Sequence, residues 1–156
     1  MDLIQTYQHA DRVYSIDIRG NLIASCGQDK KAKVWDMEKD RQVWEFDHMD
    51  EVYCVKLFDK YLLTSSLDKS VQLWDLESGE QRHRMEHSSG CYNFDIHKSL
   101  LAVGTKNTVE LWDIRTSEKV EEFKLGNVHR DLRFNPSGSE LVVGLGEGEV
   151  FIIRMN

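Results

Sequence analysis

At 156 residues, with 40 % hydrophobic and 30 % charged residues, the chain is long enough for one domain with a sizeable core and too short for two comfortable ones. Its net charge of −7 argues against a general nucleic-acid or anionic-membrane binder, either of which needs a cationic surface, and favours basic partners instead. Cys26, Cys54 and Cys91 form an odd set with no close pairing, so free and mostly buried thiols in a reducing compartment are expected. No apolar run is long enough to span a bilayer, and the opening residues lack the basic head and apolar middle of a signal peptide. A cytoplasmic or nuclear location is the resulting expectation.

Short alternating runs rich in Ser, Thr, Tyr, Val, Ile and Trp follow one another, separated by clusters of Gly, Asp, Asn, Lys and Ser. No window of helical length carries an apolar stripe, so an all-β chain is predicted. In chain order the first unit (about 2–40) gives strands over 3–7, 13–18, 22–25 and 32–35. The second (about 41–79) gives 42–46, 52–57, 61–65 and 71–74. The third (about 80–117) gives 81–86, 92–96, 100–103 and 109–112, and the fourth (about 118–156) gives 119–124, 131–134, 140–143 and 150–154. That makes sixteen predicted strands, four per unit, in a single domain spanning residues 1–156.

The units are copies. Lys33-Val34-Trp35-Asp36 returns as Gln72-Leu73-Trp74-Asp75 and as Glu110-Leu111-Trp112-Asp113, at steps of 39 (74 − 35) and 38 (112 − 74) residues. Phe151-Ile152-Ile153-Arg154 is a fourth copy that keeps the apolar strand but loses the indole and the carboxylate. Self-similarity near 40 residues with Trp-Asp ending each unit points to propeller blades.

These residues resemble the WD-repeat (WD40) β-propeller family, and the resemblance covers the whole chain. It implies a hydrogen-bonded set of four side chains inside each blade. His9, Ser25, Asp29 and Trp35 fit it, as do His48, Thr64, Asp68 and Trp74, with the Asp six residues and the hydroxyl ten residues before the Trp in both. The third repeat keeps His87 and Trp112 but has Ala102 and Lys106 at the other two offsets, and the fourth has Leu125 or Gly126 in place of the His. A buried indole N–H and imidazole need partners, so the set is structural. A Ser-His-Asp hydrolase reading fails because the same three recur once per repeat beside a Trp.

No catalytic, cofactor-binding or metal-ligating residue is expected. Gly144-Leu145-Gly146-Glu147-Gly148 precedes no helix and reads as a turn needing positive φ. The six histidines show no metal spacing, and His83 and His97 read as solvated. Lys30, Lys31, Lys33 and Lys69 read as solvated cations rather than a nucleic-acid footprint.

The order of elements within the family unit implies that each sequence repeat begins with the outer strand of the blade before it. Read in that phase, the fourth blade lacks its outer strand while the strand at 3–7 has no earlier blade to join. An open half-ring would expose two apolar faces and an unpaired edge. The expectation is a strand-exchanged homodimer forming one eight-bladed ring, with Leu3, Ile4, Gln5, Thr6 and Tyr7 of each copy beside Val150, Phe151, Ile152 and Ile153 of the other. The alternative is part of a larger propeller.

Tyr14, Tyr53 and Tyr92 recur 39 residues apart, with Arg130 aligned in the fourth unit. The resemblance implies that this position faces the rim of the central channel. With Asp11, Gln28, Asp50 and Glu51 nearby, such a rim could receive a cationic side chain through its aromatic faces. The function expected is a non-catalytic protein–protein interaction scaffold. The turn Ile18-Arg19-Gly20-Asn21 resembles those of F-box-type relatives. The second expectation is therefore a substrate-recognition module of a ubiquitin-ligase-type or chromatin-type complex, reading basic or modified peptides. Proteins or peptides and a second copy of the chain are the partners expected, with neither nucleic acid nor membrane among them.

Overall fold

The computed structural model describes residues 5–126 and 129–155, the side chains of His129 and Arg130 excepted. Fifteen strands and no helix are formed among these residues. The first sheet is an antiparallel meander of β1 (Val13–Arg19), β2 (Leu22–Gly27), β3 (Lys31–Asp36) and β4 (Arg41–Asp47). The second repeats it with β5 (Val52–Phe58), β6 (Tyr61–Ser66), β7 (Ser70–Asp75) and β8 (Gln81–Glu86). The third holds β9 (Asn93–His97), β10 (Leu100–Gly104), β11 (Thr108–Asp113) and β12 (Glu118–Lys124). The fourth stops at three strands: β13 (His129–Phe134), β14 (Glu140–Leu145) and β15 (Val150–Arg154).

One predicted strand differs. Leu3 and Ile4 lie outside the described residues, and Gln5, Thr6 and Tyr7 form no strand. The physical reason is that a strand needs a ladder partner, and no preceding sheet stands beside this segment.

The repeated Asp after each Trp shapes the chain locally. Asp36 Oδ1 accepts the amides of Glu38 and Lys39, Asp75 Oδ1 those of Glu77 and Ser78, and Asp113 Oδ1 that of Arg115. Each carboxylate thus closes the turn into the outermost strand. The same turn carries one residue at positive φ in every copy: Asp40 (49°), Gly79 (74°) and Ser117 (58°).

The sheets stack face to face as blades, and their wedges hold the core. Each blade has a front face, toward the blade before it, and a rear face, toward the next. Ala24, Ala32, Val34 and Phe46 on the rear of the first blade pack on Val55, Leu57 and Leu62 on the front of the second. Leu63, Val71, Leu73 and Met85 meet Phe94, Ile96, Leu101 and Trp112 in the next wedge. Ala102, Val109 and Leu111 meet Leu132, Leu141 and Val143 in the last. Aromatic stacking ties the outer strands in, with the Phe46 and Trp74 rings 4.4 Å apart. Each such side chain contributes roughly 1.5–3 kcal/mol by leaving water.

Gly79 shows how closely these wedges are filled. A Cβ there would lie 2.2 Å from the Trp44 ring, whose Nε1 donates to the Leu76 carbonyl at 2.9 Å. Gly79→Ala should therefore destabilise by about 2–4 kcal/mol, combining overpacking with left-handed backbone strain. Gly20→Ala, at φ +58° with nothing within 4 Å, should cost only about 1 kcal/mol. Urea unfolding of the two variants checks the difference.

Candidate functional site

Within the first blade, His9 Nδ1 bonds Asp29 Oδ2 at 2.9 Å and Nε2 bonds Ser25 Oγ at 2.7 Å, while Trp35 Nε1 donates to the same Oγ at 2.9 Å. The second blade repeats this with His48, Asp68 (2.9 Å), Thr64 (2.8 Å) and Trp74 (3.1 Å). The chain of donors runs indole N–H to hydroxyl, hydroxyl to imidazole, imidazole N–H to carboxylate. Asp68 also accepts the Met49 amide and the Ser70 hydroxyl. Burial opposes its charge, but the bonds from His48, Ser70 and Met49 outweigh that and hold its carboxyl well below the ordinary range. Asp29 is lowered in the same way, its burial outweighed by the Ala10 amide and His9.

The third blade rebuilds the set from a different position. Glu110 Oε2 bonds His87 Nδ1 at 2.9 Å and accepts the Trp112 indole N–H at 3.1 Å, while Oε1 accepts the Thr108 hydroxyl at 3.3 Å. Glu110 stands two residues before its Trp, as Lys33 and Gln72 do in theirs, so one carboxylate on the strand replaces both the turn Asp and the strand hydroxyl. Burial disfavours its charge, yet His87, Lys119 and Trp112 hold its carboxyl below the usual range. His87 Nε2 is left buried without a partner, because the residue opposite Glu110 is Val103, which has no hydroxyl to offer, where Ser25 and Thr64 stand opposite Lys33 and Gln72. The one-residue-shorter repeat turns Ala102 to the rear face. The sequence signal for Glu110 was a carboxylate inside an otherwise apolar strand. His97, read as solvated, is half-buried against Phe134, and its Nε2 also lacks a partner. Lys33, read as a solvated cation, is tucked over the Trp35 ring and donates to the Gln8 carbonyl at 3.0 Å.

The tyrosines come together at one end of the innermost strands. The register slips between Val13 and Ser15, between Val52 and Cys54, and between His129 and Asp131, so Tyr14, Tyr53 and residue 130 are bulge residues. A bulge re-aims the side chain out of the pleat, here along the line of blades. The Tyr14 and Tyr53 rings stand 4.8 Å apart and the Tyr53 and Tyr92 rings 5.5 Å apart, edge to face. Tyr14 donates to Glu51 Oε2 at 2.9 Å, and loss of solvation together with this carboxylate pushes its phenol up to about 12. A cavity of about 380 Å³ is lined by the three tyrosines with Ser15, Cys54, Asn93 and Arg133. Arg133 was not singled out in the sequence. The Arg130 side chain lies outside the described residues. Asp11 and Asp50 cap the amides of Arg12 and Glu51, and the Gln28 amide donates to the Arg12 carbonyl, so their described bonds serve the rim loops.

The residues preceding β1 lie over the front face of the first blade. The Tyr7 ring stacks on Trp35 at 4.8 Å, as Phe46 stacks on Trp74 one repeat later (46 − 7 = 39), and Gln5 Nε2 donates to Asp40 Oδ1. This segment therefore occupies the place that β4 takes over the second blade.

The family model described as WD domain, G-beta repeat matches residues 1–36 and 40–75, the two repeats whose four-residue sets are intact. These two stretches are WD40 repeats. WD40 repeats generally build non-catalytic scaffolds for protein interaction. Among solved structures, the computationally designed Ika4 protein superposes with a TM-score of 0.91 at 20 % identity, covering 100 % of this chain and 99 % of that one. The computationally designed Ika8 protein gives 0.87 at 20 % identity, covering 94 % of this chain but 47 % of that one. At that identity the likeness concerns the fold alone. A comparison with curated proteins returns no match.

The buried WD40 sets predict an acid-labile core. Asp29, Asp68 and Glu110 all titrate lower folded than their ordinary values of 3.8, 3.8 and 4.5. Their contribution is therefore full above about pH 5 and is lost as the pH falls through the folded values. Asp68→Asn should cost roughly 1–3 kcal/mol at pH 7 and flatten the acid limb of stability. Urea titrations at a series of pH values measure both effects.

Proposed function

We propose that the chain is an interaction scaffold that works as a two-fold dimer, two sets of four blades closing one eight-bladed ring. The observation that carries this is the state of its two end faces. Ile16 and Ile18 on the front of the first blade are 72 % and 62 % exposed, whereas Val55, Leu57, Phe94 and Ile96 at the same positions are at most 9 % exposed. Val150 and Ile152 on the rear of the fourth blade are 69 % and 66 % exposed, whereas Val71, Leu73, Val109 and Leu111 are at most 4 % exposed. One apolar face fits the other, because internal wedges are built from these same two kinds of face.

The outer edge of β15, unpaired among the described residues, and the segment over the first blade complement each other in the same way. Copying the β3–β4 register, in which Ala32 faces Phe46 and Val34 faces Trp44, sets Tyr7 opposite the partner's Val150 and Gln5 opposite the partner's Ile152. A solved chain of which this fold occupies 47 % leaves room for a second set of the same size. Sedimentation should give twice 18.2 kDa at micromolar concentration. A variant carrying Thr6→Cys and Phe151→Cys should form an intermolecular disulfide on oxidation. A monomer that does not cross-link overturns the dimer and leaves further blades of a longer chain as the missing neighbour.

A second reading concerns what the scaffold holds. The bulged tyrosines with Glu51 favour a cationic or modified basic side chain of a peptide, attracted by ring faces and carboxylate together. A rim of this kind would suit a recognition module of a ubiquitin-ligase-type or chromatin-type complex. Tyr53→Ala should weaken binding of a Lys- or Arg-rich peptide about tenfold or more while leaving thermal stability nearly unchanged, as isothermal calorimetry and melting would record. Equal binding by variant and parent retires the rim.

A further inference from the structure

The innermost strands carry a second pattern. The residue opposite Ala24, Leu63, Ala102 and Val142 in the four sheets is Asp17, Lys56, Asp95 and Arg133, so its charge alternates from blade to blade. Residues directly opposite share a face, and here it is the rear face, turned toward the next blade.

Both acidic members do the same work. Asp17 Oδ2 accepts the Leu57 amide of the second blade at 2.7 Å, and Asp95 Oδ2 accepts the Phe134 amide of the fourth at 2.8 Å. Asp95 is buried and has a second partner, because Lys56 Nζ reaches its Oδ1 at 2.5 Å. Each step across a wedge is thus carboxylate to amide or ammonium to carboxylate. Arg133 is the basic member with no following Asp in its own chain. Its guanidinium instead lies on Asp131 at 3.0 Å and on its own Leu132 carbonyl at 2.9 Å, and its side chain is 59 % exposed. Asp17 is the acidic member with no preceding base.

We infer that Arg133 of each copy pairs with the partner's Asp17 across the ring seam, as Lys56 pairs with Asp95 inside the chain, and that this pair selects the second copy as the occupant of the exposed faces. The inference rests on the dimer reading above. It completes an unbroken alternation of eight charges, and the two-fold axis makes the two seams identical. Charge complementarity fixes register and partner choice where apolar faces alone are non-directional. An arginine suits the place, since its planar fork can hold a carboxylate whose other oxygen is committed to an amide.

Charge reversal tests it. Arg133→Glu sets like charges together at both seams and should raise the dimer dissociation constant about 100-fold, read by sedimentation equilibrium. Asp17→Lys should do the same by meeting Arg133. Mixed in equal amounts, the two variants should form mixed dimers by native mass spectrometry. One seam then sets the two introduced charges, opposite in sign, against each other, and the other seam retains the parent pair. Asp17→Lys also removes the acceptor of the Leu57 amide. Asp17→Asn, which keeps that acceptor and loses only the charge, is therefore the companion variant and should weaken the dimer about tenfold. A parent dimer matched in affinity by Arg133→Glu and by Asp17→Asn overturns the seam pair while leaving the ring intact. A monomeric parent overturns the ring itself, and the pair with it.

Discussion

A flat β-sheet with two apolar faces cannot stand alone in water, and this constraint governs every other feature of the molecule. Each blade buries its rear face against the front of the next, and the three internal wedges are filled to the point where Gly79 has no room for a methyl group beneath Trp44. What one blade needs it cannot supply itself, so stability is a property of neighbours, as in other repeat proteins. The two terminal faces inherit the same need, and their exposed isoleucines and valines are its visible expression.

The polar groups are organised to make that stacking specific. Apolar faces adhere without direction, whereas a hydrogen bond or ion pair fixes registry. The sets built on His9, His48 and His87 tie the third strand of the first three blades to the segment that enters each blade, so that entry and exit are locked together. The charges at Asp17, Lys56 and Asp95 act between blades along the innermost strands, where a backbone amide or a carboxylate of the next blade lies within reach. The third blade shows that the chemistry of the set matters more than its sequence position. Glu110 serves indole and imidazole with one carboxylate, at the expense of an orphaned His87 Nε2.

The rim follows from backbone irregularity rather than from any dedicated loop. A bulge at the same place in the innermost strands of the first two blades turns Tyr14 and Tyr53 out of the pleat, and repetition sets Tyr92 of the third beside them. A repeat architecture makes a graded surface in this way: the scaffold fixes the spacing, and each copy is free to change the side chain, tyrosine at this place in three blades.

Much of this was legible in the residues because the repeat is printed in them. The Trp-Asp spacing, the alternating strands and the matched offsets of His9 to Trp35 and His48 to Trp74 depend on local periodicity, and periodicity survives in one dimension. The placement of Gln5–Tyr7 could be read as strand-like but not as an unladdered segment, since a strand is defined by a neighbour that no local pattern names. Glu110, Arg133 and the buried ring of His97 were missed for the same reason. Glu110 meets His87 23 positions away, His97 meets Phe134 of the next sheet, and Arg133 lines a cavity with Tyr92 and Asn93, all brought close only when sheets meet. Sequence alone determined that the chain makes blades and how many. Tertiary structure decided which faces remain unpaired, because exposure is a property of what stands opposite, and nothing in a strand's own composition records whether its neighbour is there.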